Sequence, residues 1–168
     1  MGHFLIALKL ANIKYLINNT YFMQNNPELA KSLAVKYYEE GFNCAQSILK
    51  AYGEVNHLDL SQLIKSSSSL GSGMKSGCVC GALVGAELLL GLLYSDELNR
   101  ASPDSKLLKN ANRFSNDPKL LHMKNRTMHD QFKKIFGATC CRIIRGKEKR
   151  ICPKIVETSM ELLYAIIE

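Results

Sequence analysis

Six cysteines are the residues of this 168-residue chain with the clearest chemical potential. Four of them, Cys44, Cys80, Cys141 and Cys152, fall at or near the predicted starts of helices. The first turn of a helix carries unpaired N–H groups and the positive end of the helix dipole, and both favour thiolate over thiol. Because the thiolate attacks disulfides and binds metals, this placement predicts a redox or metal site. The alternative is that these cysteines only fill the core, since cysteine packs well when buried.

A glycine-rich stretch followed by an apolar run, residues 71–94, must position one of these thiols. A helix that is apolar on nearly all sides is either buried in a domain or crosses a membrane, and crossing takes about 20 apolar residues. The run is shorter and contains a carboxylate, so we predict a buried central helix over residues 79–94 and no membrane span. Gly81 and Gly85 lie one turn apart and would let a second helix approach closely beside Cys80.

The remaining chain reads as helices, with no strand pattern and no internal repeat. Asparagine, serine, threonine or proline residues mark most of the predicted helix starts. We therefore predict an all-α fold, a single-domain bundle of about seven helices around the central helix. The predicted starts outside the central helix are Asn26-Pro27, Asn43, Asp59 or Ser61, Ser102-Pro103, Asp117-Pro118, Thr139 and Cys152-Pro153.

Residues 1–22 differ from the rest because they are apolar and lack a clear helix cap. Two interpretations stay open: an appended helix, or a natural start at Met23 with the preceding residues added by an upstream start assignment. The predicted organisation is an N-terminal extension over residues 1–22 and a four-cysteine helical domain over residues 23–168.

The net charge is +7 and the pI is about 9.1, which permits an acidic partner without requiring one. The opening apolar stretch is broken by Lys9 and no small-residue cleavage site follows, so we interpret the chain as cytoplasmic. Clustered thiols in that compartment indicate metal or redox chemistry more than structural disulfides. The basic residues from Arg142 to Lys154 form a solvated connector, or else lower thiolate pKa values or balance an anionic cluster. Without interleaved aromatic residues, this stretch does not favour nucleic-acid binding.

A family resemblance adds to this interpretation. Residues 80–85 form a CGAxxG motif, the sequence GFNCAQ occupies residues 41–46, and Cys141 and Cys152 follow downstream. Over about residues 27–168 the chain resembles the C_GCAxxG_C_C family of redox-active proteins. The order of four cysteines is specific, whereas CGAxxG alone would be a weak signal. The resemblance implies a small helical protein without a defined substrate, whose redox or metal-ligating cysteines would be Cys44, Cys80, Cys141 and Cys152.

Cys78 and Cys140 depart from the family pattern, because they create a C-x-C pair with Cys80 and a vicinal pair with Cys141. Each could be a spare thiol, an alternative ligand or a resolving cysteine. We favour Cys141 over Cys140 as the residue that faces the site.

The first functional hypothesis is therefore a redox protein, either an oxidoreductase or an electron carrier, with its four cysteines in one buried site. The thiolates would hold a two-iron iron–sulfur cluster, or the thiols would cycle through disulfides without a cofactor. We predict that Gly77, Gly81 and Gly85 border any such cofactor. The second hypothesis is a non-enzymatic module that binds structural zinc or packs against other helices. The partner would be a redox partner that the sequence does not identify, and a homodimer stays open.

Overall fold

The computed structural model describes residues 26–94, 118–147 and 150–167. Within these ranges there is no β-strand, only an isolated bridge between Val79 and Cys140, so the predicted all-α fold is confirmed. The predicted extension over residues 1–22 and the predicted helix that begins at Ser102-Pro103 lie outside the described residues. The described helices are α1 (Pro27–Glu39), α2 (Cys44–Val55), α3 (Ser61–Ser66), α4 (Gly81–Tyr94), α5 (Pro118–Phe136), α6 (Cys141–Lys147) and α7 (Cys152–Ile167), with a 3-10 turn at Ser67–Ser69 and a π-helical turn at Gly73–Gly77.

The helix α4 is the predicted central helix, and it begins at Gly81, two residues later than predicted. It packs against α2, α5 and α7, and Leu89 and Leu90 are fully buried in that core. Helix α7 also contacts α1, α2 and α5, so the core lies between α4 and α7. None of the helices in the described ranges has both the length and the apolar character needed to cross a bilayer.

Helices α2 and α4 approach closely at Gly85. A Cβ atom there would lie 3.0 Å from both the Cα and the carbonyl oxygen of Ala45, and 3.2 Å from Cβ of Ile48. Such contacts are too short for any larger residue without a shift of the backbone. The small residue therefore fixes the distance between α2, which begins at Cys44, and α4, which follows Cys80.

Side-chain caps start the first two helices as their sequences indicate. The Asn26 carboxamide accepts the N–H of Leu29 at 3.0 Å, and Pro27 follows at the first helical position. Asn43 and Gln46 form a capping box at the start of α2, which places Cys44 at the first helical position. Helix α2 runs through Gly53, although glycine usually weakens a helix interior. A small residue is needed there because Leu58 and Leu60 approach the helix closely.

Candidate functional site

Cys44 is positioned by its neighbour Asn43. The Asn43 side-chain oxygen accepts the N–H groups of Ala45 and Gln46 at 3.0 Å, and its amide donates to the carbonyl oxygens of Ser67 and Ser68 at 3.1 Å. One side chain therefore caps α2 and ties it to the serine turn that precedes the glycine-rich segment. As a result, the buried Cys44 side chain lies against the start of α4, 3.4 Å from where a Cβ on Gly81 would lie.

Cys80 directly precedes α4 and is buried. Its sulfur accepts the backbone N–H groups of Ala82 and Leu83, so the thiol acts as an N-terminal cap. The backbone N–H of Cys80 donates to the carbonyl oxygen of Thr139 at 2.8 Å. The N–H of Cys141 donates to the carbonyl oxygen of Cys78 at 2.5 Å. These two hydrogen bonds join residues 78–80 to residues 139–141 and bring two of the predicted site cysteines together.

Cys141 packs against the glycine-rich segment. Gly73 has a φ of +64°, and a Cβ atom there would lie 2.7 Å from the Cβ of Cys141 and 2.7 Å from the backbone nitrogen of Cys78. The position therefore needs glycine for its backbone conformation and for space. The segment before α4 folds directly over the first residue of α6.

Cys152, at the first position of α7, completes the group and is partly exposed. Hydrogen bonds from the Cys44 thiol and the Tyr38 hydroxyl, together with the positive charge of Arg145, lower the pKa of Cys152 to about 6. The same contact raises the pKa of Cys44, with burial adding to the effect. Of the pair, Cys152 is thus the residue whose charged form is favoured, and Cys44 is the donor.

The four family cysteines lie near enough to interact electrostatically. Ionised Cys80, Cys141 or Cys152 would each disfavour ionisation of Cys44. Burial raises the pKa of Cys80 to about 11 and also raises that of Cys141. The structure therefore brings these residues into one group, in which the charged form is favoured at Cys152 and disfavoured at the other three. Their catalytic or metal-binding roles stay predictions.

The two additional cysteines have other surroundings. The Cys140 thiol donates to the carbonyl oxygen of Gly77 at 3.2 Å, and Cys78 is exposed. Cys141, by contrast, is buried and interacts with Cys80 and Cys152. This arrangement supports the preference for Cys141 over Cys140.

Two residues at the site were not assigned individually from the sequence. Arg145 hydrogen-bonds to Cys141, and its charge lowers the pKa of Cys152. It belongs to the basic stretch of residues 142–154, for which lowering thiolate pKa values was one of the two interpretations. Tyr38 donates to Cys152 and is partly buried, whereas its neighbour Tyr37 is buried and donates to the Glu54 carboxylate. Nothing in the sequence indicated that Tyr38, rather than Tyr37, faces a thiol.

The fit of a metal centre can be tested on the side chains. All six cysteines are free, and within the described ranges no three His, Cys, Asp or Glu residues are arranged to hold a metal ion. An iron–sulfur cluster or a zinc ion at these cysteines stays a prediction. Gly77 lines a surface cavity, while the space beside Gly81 and Gly85 is filled by Leu70 and Ala45, and cofactor binding at these glycines stays a prediction.

Comparison with known proteins bears on the same residues. The family model described as "Putative redox-active protein (C_GCAxxG_C_C)" matches residues 42–166, a range that contains every cysteine and the whole group described above. No curated protein and no solved structure shows a significant match. Since the family model covers well over half of the sequence, the chain belongs to the C_GCAxxG_C_C family.

Proposed function

We propose that this protein is a thiol–disulfide redox protein in which Cys44 and Cys152 form the reversible pair. The observation that carries the proposal is the close approach of Cys44 and Cys152, because each is the largest cause of the other's shifted pKa. Two cysteines in hydrogen-bond contact need little movement to form a disulfide. Their unequal pKa values supply one thiolate to attack and one thiol to resolve.

The surroundings of the pair support this division of roles. Three groups favour the charged form of Cys152, namely Cys44, Tyr38 and Arg145, so the attacking thiolate is present at neutral pH. A thiol with a pKa near the ambient pH attacks disulfides most effectively, because it combines a large thiolate fraction with good nucleophilicity. Cys152 is also more exposed than Cys44 and can be reached first.

The chemistry is a two-electron exchange. The Cys152 thiolate attacks one sulfur of a disulfide, and the other sulfur leaves as a thiolate. Cys44 then loses its proton to solvent and attacks the Cys152 sulfur, which releases the second thiolate and forms the Cys44–Cys152 bond. The external disulfide gains two electrons, and the protein pair loses them.

The test is to react the reduced protein with bis(2-hydroxyethyl) disulfide, a neutral reagent, and to map the product by peptide mass spectrometry. We expect a Cys44–Cys152 disulfide. The Cys152→Ser variant should react at least about tenfold more slowly. Serine cannot form a disulfide, and the thiol of Cys44, the other residue of the pair, is protonated at neutral pH. Cys78→Ser and Cys140→Ser are the matched controls and should react like the wild type.

Two results would overturn the proposal. One is the absence of a Cys44–Cys152 bond in the product, and the other is an equal loss of rate in the Cys78→Ser control. Metal analysis of anaerobically purified protein tests the metal hypotheses directly. Stoichiometric iron with visible absorption would favour the cluster, and stoichiometric zinc in a colourless protein would favour the structural module.

A further inference from the structure

A cavity of about 520 Å³ opens beside Cys141, between the glycine-rich segment and α6. Its volume falls within the range of sites that bind small molecules. Cys141 is the only cysteine among the described residues that line it. The lining residues are Ser72, Lys75, Ser76, Gly77, Cys141, Arg142, Arg145 and Gly146.

The cavity is strongly cationic. Lys75, Arg142 and Arg145 line it, no carboxylate does, and none of the three pairs with an acidic residue in the part of the chain that the structure describes. Like charges placed together without counter-charges repel one another, and an anion bound between them would relieve that repulsion. The unbalanced charge therefore points to an anionic ligand.

Hydrogen bonds hold the two arginines of the cavity in place. Arg142 donates to the carbonyl oxygen of Ser76 at 2.7 Å, and Arg145 hydrogen-bonds to the Cys141 sulfur. Lys75 has a φ of +59°, a conformation that costs energy for a residue with a side chain. The fold therefore keeps the charges of Arg142 and Arg145 near one thiol, and Lys75 lines the same cavity.

We propose that this cavity binds a small anionic disulfide, or the thiol formed from it, and that Cys141 reacts with its sulfur. The proposal rests on the thiol–disulfide function above and names the class of substrate for it. The three cations would bind carboxylates of the ligand, while its disulfide bond lies against Cys141 at the inner wall. An anionic disulfide would thus enter at Cys141, which carries the oxidation to the Cys44–Cys152 pair, whereas a neutral disulfide reacts with Cys152 directly.

The steps balance with the anionic disulfide as the oxidant. Cys141 loses its proton to solvent and attacks one sulfur of the ligand, which breaks the ligand's disulfide bond and releases one thiolate. The Cys152 thiolate then attacks the Cys141 sulfur and releases the second thiolate. Finally Cys44 loses its proton and attacks the Cys152 sulfur. This step forms the Cys44–Cys152 bond and returns Cys141 to its reduced, protonated form.

The experiment compares three aliphatic disulfides that differ in charge. These are 3,3′-dithiodipropionate with a charge of about −2, neutral bis(2-hydroxyethyl) disulfide, and cystamine with a charge of about +2, since their carboxyl and amino groups are ionised at pH 7. The reduced full-length protein should react with the anionic reagent about tenfold or more faster than with the cationic one at low salt, and added salt should reduce the difference.

Two exposed lysines provide matched variants. Lys75→Glu should remove most of the preference for the anionic disulfide over the cationic one. Lys65→Glu makes the same charge change outside the cavity and should keep the wild-type order of rates. Circular dichroism checks that both variants are folded.

The outcomes separate this proposal from the one on which it rests. If all three disulfides oxidise the wild type equally fast, or if Lys75→Glu and Lys65→Glu behave alike, the anion site is wrong while thiol–disulfide exchange stands. If none of the three oxidises the protein, both proposals fail.

A trapping experiment tests the reacting thiol. In Cys152→Ser the resolving thiolate is absent, so the anionic reagent should remain bound as a mixed disulfide on Cys141, identified by peptide mass spectrometry. An adduct confined to other cysteines would overturn the role of Cys141.

Discussion

Two regions meet at the four cysteines and differ in packing. In the inner region, where α2 and α4 cross at Gly85, backbone lies against backbone and both thiols, Cys44 and Cys80, are buried. The outer region consists of residues 72–77 and α6. Its segment 72–77 takes left-handed backbone conformations, most of its side chains are exposed, and a cationic cavity opens beside Cys141.

The difference explains why similar helix-start positions give different thiols. Burial dominates in the inner region and raises the pKa of Cys80 to about 11, despite two backbone N–H groups that favour its charged form. Cys152 joins the two regions, since it contacts Cys44 on one side and is influenced by Arg145 on the other, and its pKa falls to about 6. A helix start alone therefore does not make a reactive thiol, and the balance of burial and hydrogen-bond donors decides its ionisation.

The largest expected effect comes from breaking the inner region. Gly85→Leu should destabilise the protein by about 1–3 kcal/mol or more, because even the Cβ would press against the Ala45 backbone. Gly91→Leu is the matched control in the same helix, since a Cβ there would have no neighbour within 4 Å. Urea unfolding measures both, and equal stability of Gly85→Leu and the wild type would refute the close packing.

Much of the fold and part of the site could be predicted from the sequence. The apolar run predicted α4, and Asn43, Gly85 and the helix-start prolines act as their residue types indicate, because caps and close approaches depend on local chemistry. The resemblance implied that Cys44 and Cys152 share one site, but their direct contact could not be predicted, because it depends on how α2 and α7 pack. The cavity beside Cys141 likewise depends on the left-handed turn at Lys75, a residue type that seldom takes that conformation.

A smaller effect is expected at Cys80, where the comparison can be made between two cysteines of one segment. Cys80→Ser should fold, since a serine oxygen can accept the same N–H groups of Ala82 and Leu83. If Cys80 forms a disulfide on exhaustive oxidation, Cys80→Ser should have two fewer oxidisable thiols than the wild type, because the cysteine that pairs with Cys80 would have no partner. Cys78→Ser should leave the number of oxidisable buried thiols unchanged. Thiol counting before and after oxidation measures this, and identical counts would remove Cys80 from the redox group.

The pH dependence of alkylation sharpens the contrast between Cys152 and the inner thiols. Cys152 is deprotonated above its pKa of about 6, so its rate of reaction with iodoacetamide should rise about tenfold between pH 5 and pH 8 and then level off. Cys80 should stay unreactive over that range, because its pKa is about 11 and it is buried. The reaction is followed in the Cys78→Ser background, and peptide mapping assigns each label. A Cys152 rate that still rises steeply at pH 9 would contradict the depressed pKa.

The smallest expected effect is at Tyr38, one of three groups that favour the Cys152 thiolate. Tyr38→Phe removes the hydrogen bond from the tyrosine hydroxyl to Cys152 and keeps the hydrogen bond from Cys44 and the charge of Arg145. The pH midpoint of Cys152 alkylation should therefore rise by about one pH unit or less. Tyr37→Phe is the matched control at the adjacent position, where the lost hydroxyl contacts Glu54 instead of a thiol. It should leave the midpoint unchanged, even if it lowers stability through the lost hydrogen bond and its unpaired carboxylate partner. Equal midpoints in both variants and the wild type would show that the tyrosine does not influence the thiolate. A shift as large as the whole depression of the Cys152 pKa would show instead that Tyr38 holds the Cys44–Cys152 pair in place, because only the loss of that contact removes the largest cause.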